Sequence, residues 1–485
     1  MSWKETISPF LSKFPVVTRP IKHIPFRQKI TWTFLVLVIY FFLTNVTIYG
    51  LGGNAQDIFG QFRSILAGEQ GSLLQLGIGP IVTASIILQL LGGADLLGLD
   101  MNDPVDQIFY QGLQKLLVIL MIILTGFPMV FAGGFLPADP AVSTQLGVSL
   151  NAVRWIIFAQ IFAGGIFILY MDEIVSKWGI GSGVGLFIVA GVSQHLVGGF
   201  LSLGSSTSTA GLIPTWIGIA IGSIQLSPFF SGGFQELIFG RGQILALITT
   251  LLIFGIVVYA ESVRVEIPLS HTKVRGAKGR FPVKLIYASV LPMILVRAVQ
   301  ANIQFLGSIL NSQMKNMPSW MGVYSGSEPV SGFFYYLNPI MVPGDWMWWL
   351  GQTGAEPWQV VLRVLLDLII MVGGGALFAI FWVETTNMGP EATAQQIQRS
   401  GMQIPGFRRN PSVLQKVLQR YIPLVTVVGG ALVGFLAVTA NMLGTIGAVG
   451  GTGLLLTVSI VYKLYEEIAE EQLMEMHPMM RQMFG

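Results

Sequence analysis

Apolar runs of about 20 residues recur ten times along this chain, the length a helix needs to cross about 30 Å of hydrocarbon. The first half holds five, at Ile30–Tyr49, Leu74–Leu91, Gln111–Phe135, Val153–Tyr170 and Gly181–Phe200. The second holds five more, at Gln243–Ser262, Val283–Ile309, Val361–Glu384, Tyr421–Thr439 and Leu443–Tyr465. Only 11% of the 485 residues are charged, against about 25% in a soluble domain. A polytopic membrane protein is the reading that accommodates both facts. With no cysteine, disulfides, thiolate metal sites and thiol catalysis are excluded.

One short segment breaks the pattern. In AQDIFGQFRSILAG, Ile58, Phe59, Phe62, Ile65 and Leu66 share one helical face. The piece is roughly 12 residues, about 18 Å of helix, and cannot span. The run that follows, GIGPIVTASIILQLL, carries Pro80, Thr83, Ser85 and Gln89. A half-length helix feeding a polar-flecked span suits a protein built around an aqueous path.

Basic residues set an orientation. Ten spans place both termini on one side, and that side collects 21 of the 27 Lys and Arg, while the other has 5 and Arg297 lies within a span. The positive-inside tendency makes the rich side cytoplasmic. No cleavable signal is apparent, because about 29 polar, basic and proline-containing residues precede the first apolar run. The expected map is a cytoplasmic amphipathic segment over 1–29 and a first half over 30–200, with the short segment at 56–67. An external connection over 201–242 leads to a second half over 243–465, with cytoplasmic loops at 264–282 and 385–420 and a tail over 466–485.

Five spans per half is an odd number, so the halves must be inverted relative to each other. The second and seventh spans then correspond, and each carries one proline, Pro80 and Pro292. Gly183-Val184-Gly185 leads to Ile188 as Gly77-Ile78-Gly79 leads to Val82. Both devices put branched apolar residues four apart on one face, beside small ones. Either they serve close helix packing, or they form a constriction that closes by dewetting.

Chemistry is scarce. His23, His195, His271 and His477 lie in different segments with no metal-binding spacing. The GIGSGVG stretch has Ile180 where a G-x-S-x-G nucleophile loop needs glycine, and the glycine clusters match no nucleotide fingerprint. No catalysis and no cofactor are expected. Of the charges within spans, Arg363 and Asp367 are spaced i, i+4 and read as an intrahelical pair, as do Glu173 and Lys177 beside Asp172. Arg297 has no acid within four residues, so it is expected to face a vestibule or snorkel outward. Two basic loops, VRVEIPLSHTKVRGAKGRFPVK and NMGPEATAQQIQRSGMQIPGFRRNPSVLQKVLQRYIP, suit docking of an acidic partner such as ribosomal RNA.

GIGPIVTASIILQLL (77–91) and LYMDEIVSKWGIGSGVGLFI (169–188) resemble the two signature stretches of the SecY family, the central subunit of the protein-translocation channel. RVEIPL (264–269), FWVETT (381–386), GFRR (406–409) and GGTGLLLTVSIVY (450–462) extend the likeness over the whole chain, nearer the archaeal and eukaryotic branch. The resemblance implies an all-α protein with ten transmembrane helices in two inverted five-helix halves around a central pore. It implies a pore ring of Ile78, Val82, Val184, Ile188, Ile294 and Leu455 or Leu456, and a plug carrying Ile58, Phe59, Phe62, Ile65 and Leu66. A lateral gate would lie between the second and third spans and the seventh and eighth, with Thr83, Gln114 and Asn302 as its polar positions. Docking would fall to Lys273, Arg275, Lys278, Arg280, Arg408 and Arg409.

The implied partners are SecE-type and beta-type small membrane subunits, the ribosome, signal sequences, nascent polypeptides and the lipid of the cell membrane. Two departures from the family pattern matter: Val184 is smaller than the usual isoleucine, and Arg297 stands where a small apolar residue is expected. A channel that translocates polypeptides and releases transmembrane segments into lipid is the expected function. A secondary transporter of small solutes and a membrane scaffold are the alternatives.

Overall fold

The computed structural model describes residues 15–21, 24–93, 96–99, 103–132, 134–204, 210–224, 232–240, 242–271, 278–286, 291–314, 317–326, 328–350, 355–386, 388–399, 402–403, 411–447 and 449–476. The amphipathic segment expected over 2–14 lies outside them, as do Lys273, Arg275, Arg408 and Arg409.

The first half runs α1 (Phe26–Asn45), a one-turn α2 (Arg63–Leu66), α3 (Gly79–Gly93), α4 (Pro104–Phe127), a short α5 (Pro140–Leu146), α6 (Leu150–Trp178) and α7 (Gly183–Leu201). The connection holds α8 (Leu212–Ile221) and α9 (Gly233–Ile238). The second half runs α10 (Ile244–Ser262), strands β1 (Arg264–His271) and β2 (Lys278–Lys284), and α11 (Leu291–Gln313). It continues with β3 (Val323–Ser325), β4 (Glu328–Ser331), a short α12 (Phe333–Tyr336) and α13 (Pro357–Thr385). Helix α14 (Pro390–Arg399), β5 (Met402–Gln403), α15 (Pro411–Leu443) and α16 (Gly451–Met476) complete it.

Among the described residues, eight helices are long and apolar enough to cross a membrane. They are α1, α4 with its following turn, α6, α7, α10, α11, α13 and α15. Helix α3 falls short on length, with 15 residues. Helix α16 is long, but Lys463, Glu466 and Glu467 enter its first five turns. The protein is mostly helical rather than purely so. The basic loop after α10 folds back as an antiparallel hairpin, Arg264 opposite Lys284 and Ser270 opposite Lys278, and β5 extends it to the order β2-β1-β5. Its Ile267 and Val283 form a second small core with Val383, Ala394, Ile397 and Leu418.

Helix ends follow their capping residues. Asp103 accepts from the Val105 N–H at 3.0 Å and Ser182 from the Gly185 N–H at 3.2 Å. Helix α7 has a second acceptor from outside, the Asp172 carboxylate of α6, at 2.9 Å from the Val184 N–H. Close helix packing uses glycine: a Cβ on Gly430 of α15 would lie 2.6 Å from the Gly375 carbonyl of α13. Helix α11 is the most enclosed span, with 67% of its apolar window buried against 11% for α1. The molecule is therefore organised around α11, with α1 at its periphery.

Candidate plug, pore ring and lateral gate

The segment before α3 is less helical than its pattern predicts. A 3-10 turn, Gly60–Phe62, leads into a single α-turn, and Ala67 ends it at φ +52°. The reason is local: the Asp57 carboxylate folds back onto Arg63, accepting from Nε at 2.9 Å and from Nη2 at 2.7 Å. That bidentate grip holds 57–59 in a turn and ties off the helix. Arg63 Nη1 also donates to the Gln75 carbonyl at 2.9 Å, so this arginine is buried and paired.

Phe59, Phe62, Ile65 and Leu66 are buried, and Ile58 packs against them. The segment is pinned by backbone-directed bonds from several elements. Tyr40 of α1 donates its hydroxyl to the Ala67 carbonyl at 3.0 Å, and Ser64 Oγ donates to the Val449 carbonyl at 2.7 Å. The Ile78 N–H donates to the Leu66 carbonyl at 2.7 Å. Phe59 stacks on Phe305 of α11 with ring centroids 5.4 Å apart. The chain reaches this register through Gly77, at φ +53°, where a Cβ would lie 2.1 Å from the Leu66 carbonyl.

Ile78, Val82, Ile188, Ile294, Leu455 and Leu456 are all buried in the same apolar cluster as the plug residues, and Val184 packs at its margin half-buried. Val184 is the one ring candidate outside the fully buried set. Leu455 and Leu456 are equally enclosed, so burial does not choose between them. Ile78 sits just before α3 rather than inside it, yet the Val82 N–H bonds to its carbonyl at 3.0 Å, which preserves the one-turn spacing.

At the candidate gate, Asn302 of α11 donates through Nδ2 to Thr83 Oγ1 of α3 at 3.0 Å. Gln114 does not cross the seam; its Nε2 donates to Ser85 Oγ at 3.0 Å, joining α4 to α3 on one side. A crossing contact with no signature in the sequence takes its place, Gln313 Nε2 donating to the Ala132 carbonyl. Behind the seam lies a cavity of about 20 Å³, lined by Phe59, Leu66, Thr83, Thr125 and Asn302 among others. That is room for one water with polar partners.

Arg297 overturns its expectation. It is fully buried, neither facing a vestibule nor snorkelling. Its acid comes from another helix: Nη1 lies 3.3 Å from Asp367 Oδ1 of α13 and 2.7 Å from Gln300 Oε1. Asp367 is therefore not paired with Arg363. Arg363 donates instead to the Asn338 and Pro339 carbonyls at 3.0 and 2.9 Å, over the Tyr335 ring. Glu173 does bind Lys177, at 2.6 Å, and also Lys115 at 2.8 Å. Of the docking candidates, Lys278 and Arg280 lie on β2, whose hairpin tip is outside the described residues.

The profile of the SecY family matches residues 72–465, and one described as the plug domain of Sec61p matches residues 38–71. The chain belongs to the SecY family. It is 69% identical to the protein translocase subunit SecY of Haloferax volcanii, over 100% of both chains. Its identity to the Archaeoglobus fulgidus subunit is 49%, covering 99% of this chain and 98% of the relative. Among solved structures it is similar to one described as a protein conducting channel, with a TM-score of 0.78 and 38% identity over 97% of this chain and 98% of that one. Sec61 from the canine ribosome–channel complex gives 0.76 and 36% with the same coverage. The Sec61p plug profile ends at residue 71, just after the turn that closes the pinned segment, and the SecY profile begins with the next residue.

Proposed function

We propose that this chain is the channel-forming subunit of a protein translocase, passing secretory polypeptides through its centre and releasing apolar segments sideways into lipid. The observation that carries the reading is the pinned segment 56–67, whose buried face packs into one cluster with Ile78, Ile188 and Ile294. A signal sequence would part α3 from α11 at the Asn302–Thr83 bond. The plug would then leave, and the branched side chains would close around the moving chain. Helices α3 and α16 complete ten spans in two inverted halves, α3 being short because it starts at the pore. Both termini lie in the cytoplasm with the 21 basic residues.

The loops at 264–282 and 385–420 dock a ribosome, consistent with the ribosome-bound state described for canine Sec61. SecE-type and beta-type subunits cover the exposed faces of the outer helices. Translocation is driven from outside this chain.

The test exploits the absence of cysteine. Single cysteines at Ile78 and Ile294 are expected to crosslink to an arrested secretory chain in vesicles, and one at the lipid-facing Phe254 to remain unlabelled by its hydrophilic part. Solute uptake driven by an ion gradient, with no crosslink at either ring position, would replace this reading with a transporter.

A further inference from the structure

Arg297 does more than neutralise Asp367. Its Nε lies 3.3 Å from Thr452 Oγ1 in the first turn of α16, and Asn441 Nδ2 of α15 reaches the same hydroxyl at 3.1 Å. The Thr452 N–H in turn donates to Asn441 Oδ1 at 3.0 Å. Asp367 accepts from Gln300 Nε2 at 3.1 Å and, at 3.4 Å, from the Ile340 N–H. The guanidinium thus joins α11, α13, α15 and α16 at one buried point. Its geometry is loose: the Arg297–Asp367 contact is single-pronged at 3.3 Å, and Nη2 is buried without a partner among the described residues. A well-formed arginine–carboxylate pair is bidentate at about 2.7–2.9 Å.

The turn that leads into α16 also receives the pinned segment. Val449, three residues before Thr452, supplies the carbonyl that receives Ser64 Oγ, and a Cβ on Gly453 would lie 3.3 Å from that oxygen. Arg297 belongs to α11, one turn from Ile294 on one side and little more than one turn from Asn302 on the other. A rotation or shift of α11 that breaks the Asn302–Thr83 bond also displaces the guanidinium from Thr452.

We propose that Arg297 is a positioning residue that couples the gate helix to the plug seat. While α11 is closed, its guanidinium fixes Thr452 and hence the 449–453 turn that receives Ser64. When α11 moves, that turn loosens and the plug's acceptor goes with it. The inference rests on the channel reading above, and the experiment separates the two.

Open probability in planar bilayers is measured for four forms: the parent, Ser64→Ala, Arg297→Lys and the double variant. Lysine keeps a charge for Asp367 but has no second arm for Thr452. Ser64→Ala alone is expected to raise opening about 5-fold, the effect of one hydrogen bond of about 1 kcal/mol. In the Arg297→Lys background the same change is expected to add less than about 2-fold, because the turn it anchors to is already loose. An equal factor in both backgrounds overturns the coupling. Thr452→Val serves as a second background, isosteric and uncharged, in case the lysine variant does not fold. If deletion of 56–67 produces no conductance at all, the channel reading itself falls, a result distinct from equal factors.

Discussion

Tyr40→Phe isolates a single plug anchor. Tyr40 is 1% exposed and stacks on Phe187 with centroids 5.0 Å apart and planes at 21°. Phenylalanine keeps that stacking and removes only the hydroxyl bond to the Ala67 carbonyl. That carbonyl belongs to a left-handed, non-glycine residue, so the bond also holds a strained turn in place. If the segment leaves on opening, as proposed, the bond exists only in the closed state and its loss destabilises that state alone. A net hydrogen bond contributes about 0.5–1.5 kcal/mol, which shifts the open-to-closed ratio by about 2- to 13-fold. If the carbonyl is left buried and unsatisfied, the cost rises to about 3 kcal/mol and the shift to roughly 160-fold. Single-channel recording of the reconstituted protein reads this ratio directly. Unchanged or reduced opening would refute the idea that the plug is held by directed polar anchors.

Three further substitutions address neighbouring features. Gly77→Ala adds a methyl 2.1 Å from the Leu66 carbonyl at a φ that disfavours side chains; a cysteine at Ile65 is expected to become reactive to aqueous thiol reagents in that variant and to stay protected in the parent. Asn302→Leu removes the bond to Thr83 and is expected to raise export of a substrate with a weakened signal sequence about 5-fold, at an unchanged rate for a strong one; equal effects on both substrates would argue against a gate role. Asp172→Ala strips α7 of its external cap at Val184 and is expected to lower stability by about 0.5–2 kcal/mol, read as a lower thermal midpoint in detergent.

Much of this was legible before any coordinates. Apolar run length gives the membrane class, and the stretch from Ile58 to Leu66 announces a buried face too short to span. Long-range partners were not legible. An i, i+4 spacing offers Asp367 to Arg363, but the helix only brings the two near each other; burial decides what each meets. Arg363 finds two loop carbonyls and an aromatic ring, so the carboxylate is left for an arginine 70 residues away. The short helix's extent also escaped, because Asp57 folding onto Arg63 is a side-chain contact that periodicity does not register. The hairpin after α10 did carry a signal, the alternation of Val265, Ile267 and Leu269 with Arg264, Glu266, Pro268 and Ser270, which a search for spans passes over.

A plug must be stable enough to seal and weak enough to leave, and its anchors suggest how both are met. Apolar contact alone would scale with area and resist removal as a block. Here the segment has a buried apolar face and is tied as well by four bonds, from Tyr40, Ser64, Arg63 and the Ile78 N–H, each aimed at a different backbone carbonyl. At about 1 kcal/mol apiece they total about 4 kcal/mol. Inverting a population from 1:99 to 99:1 takes about 5.5 kcal/mol. The polar ties alone are therefore of the size that a ligand's preference for the parted state must supply. The acceptors lie in three places: Ala67 and Leu66 at the end of the pinned segment, Gln75 before α3, and Val449 before α16. Movement of one gate helix can weaken them in sequence rather than all at once. Bonds broken in sequence lower the barrier to release without lowering the stability of the sealed state, because each is fully formed until its own support moves.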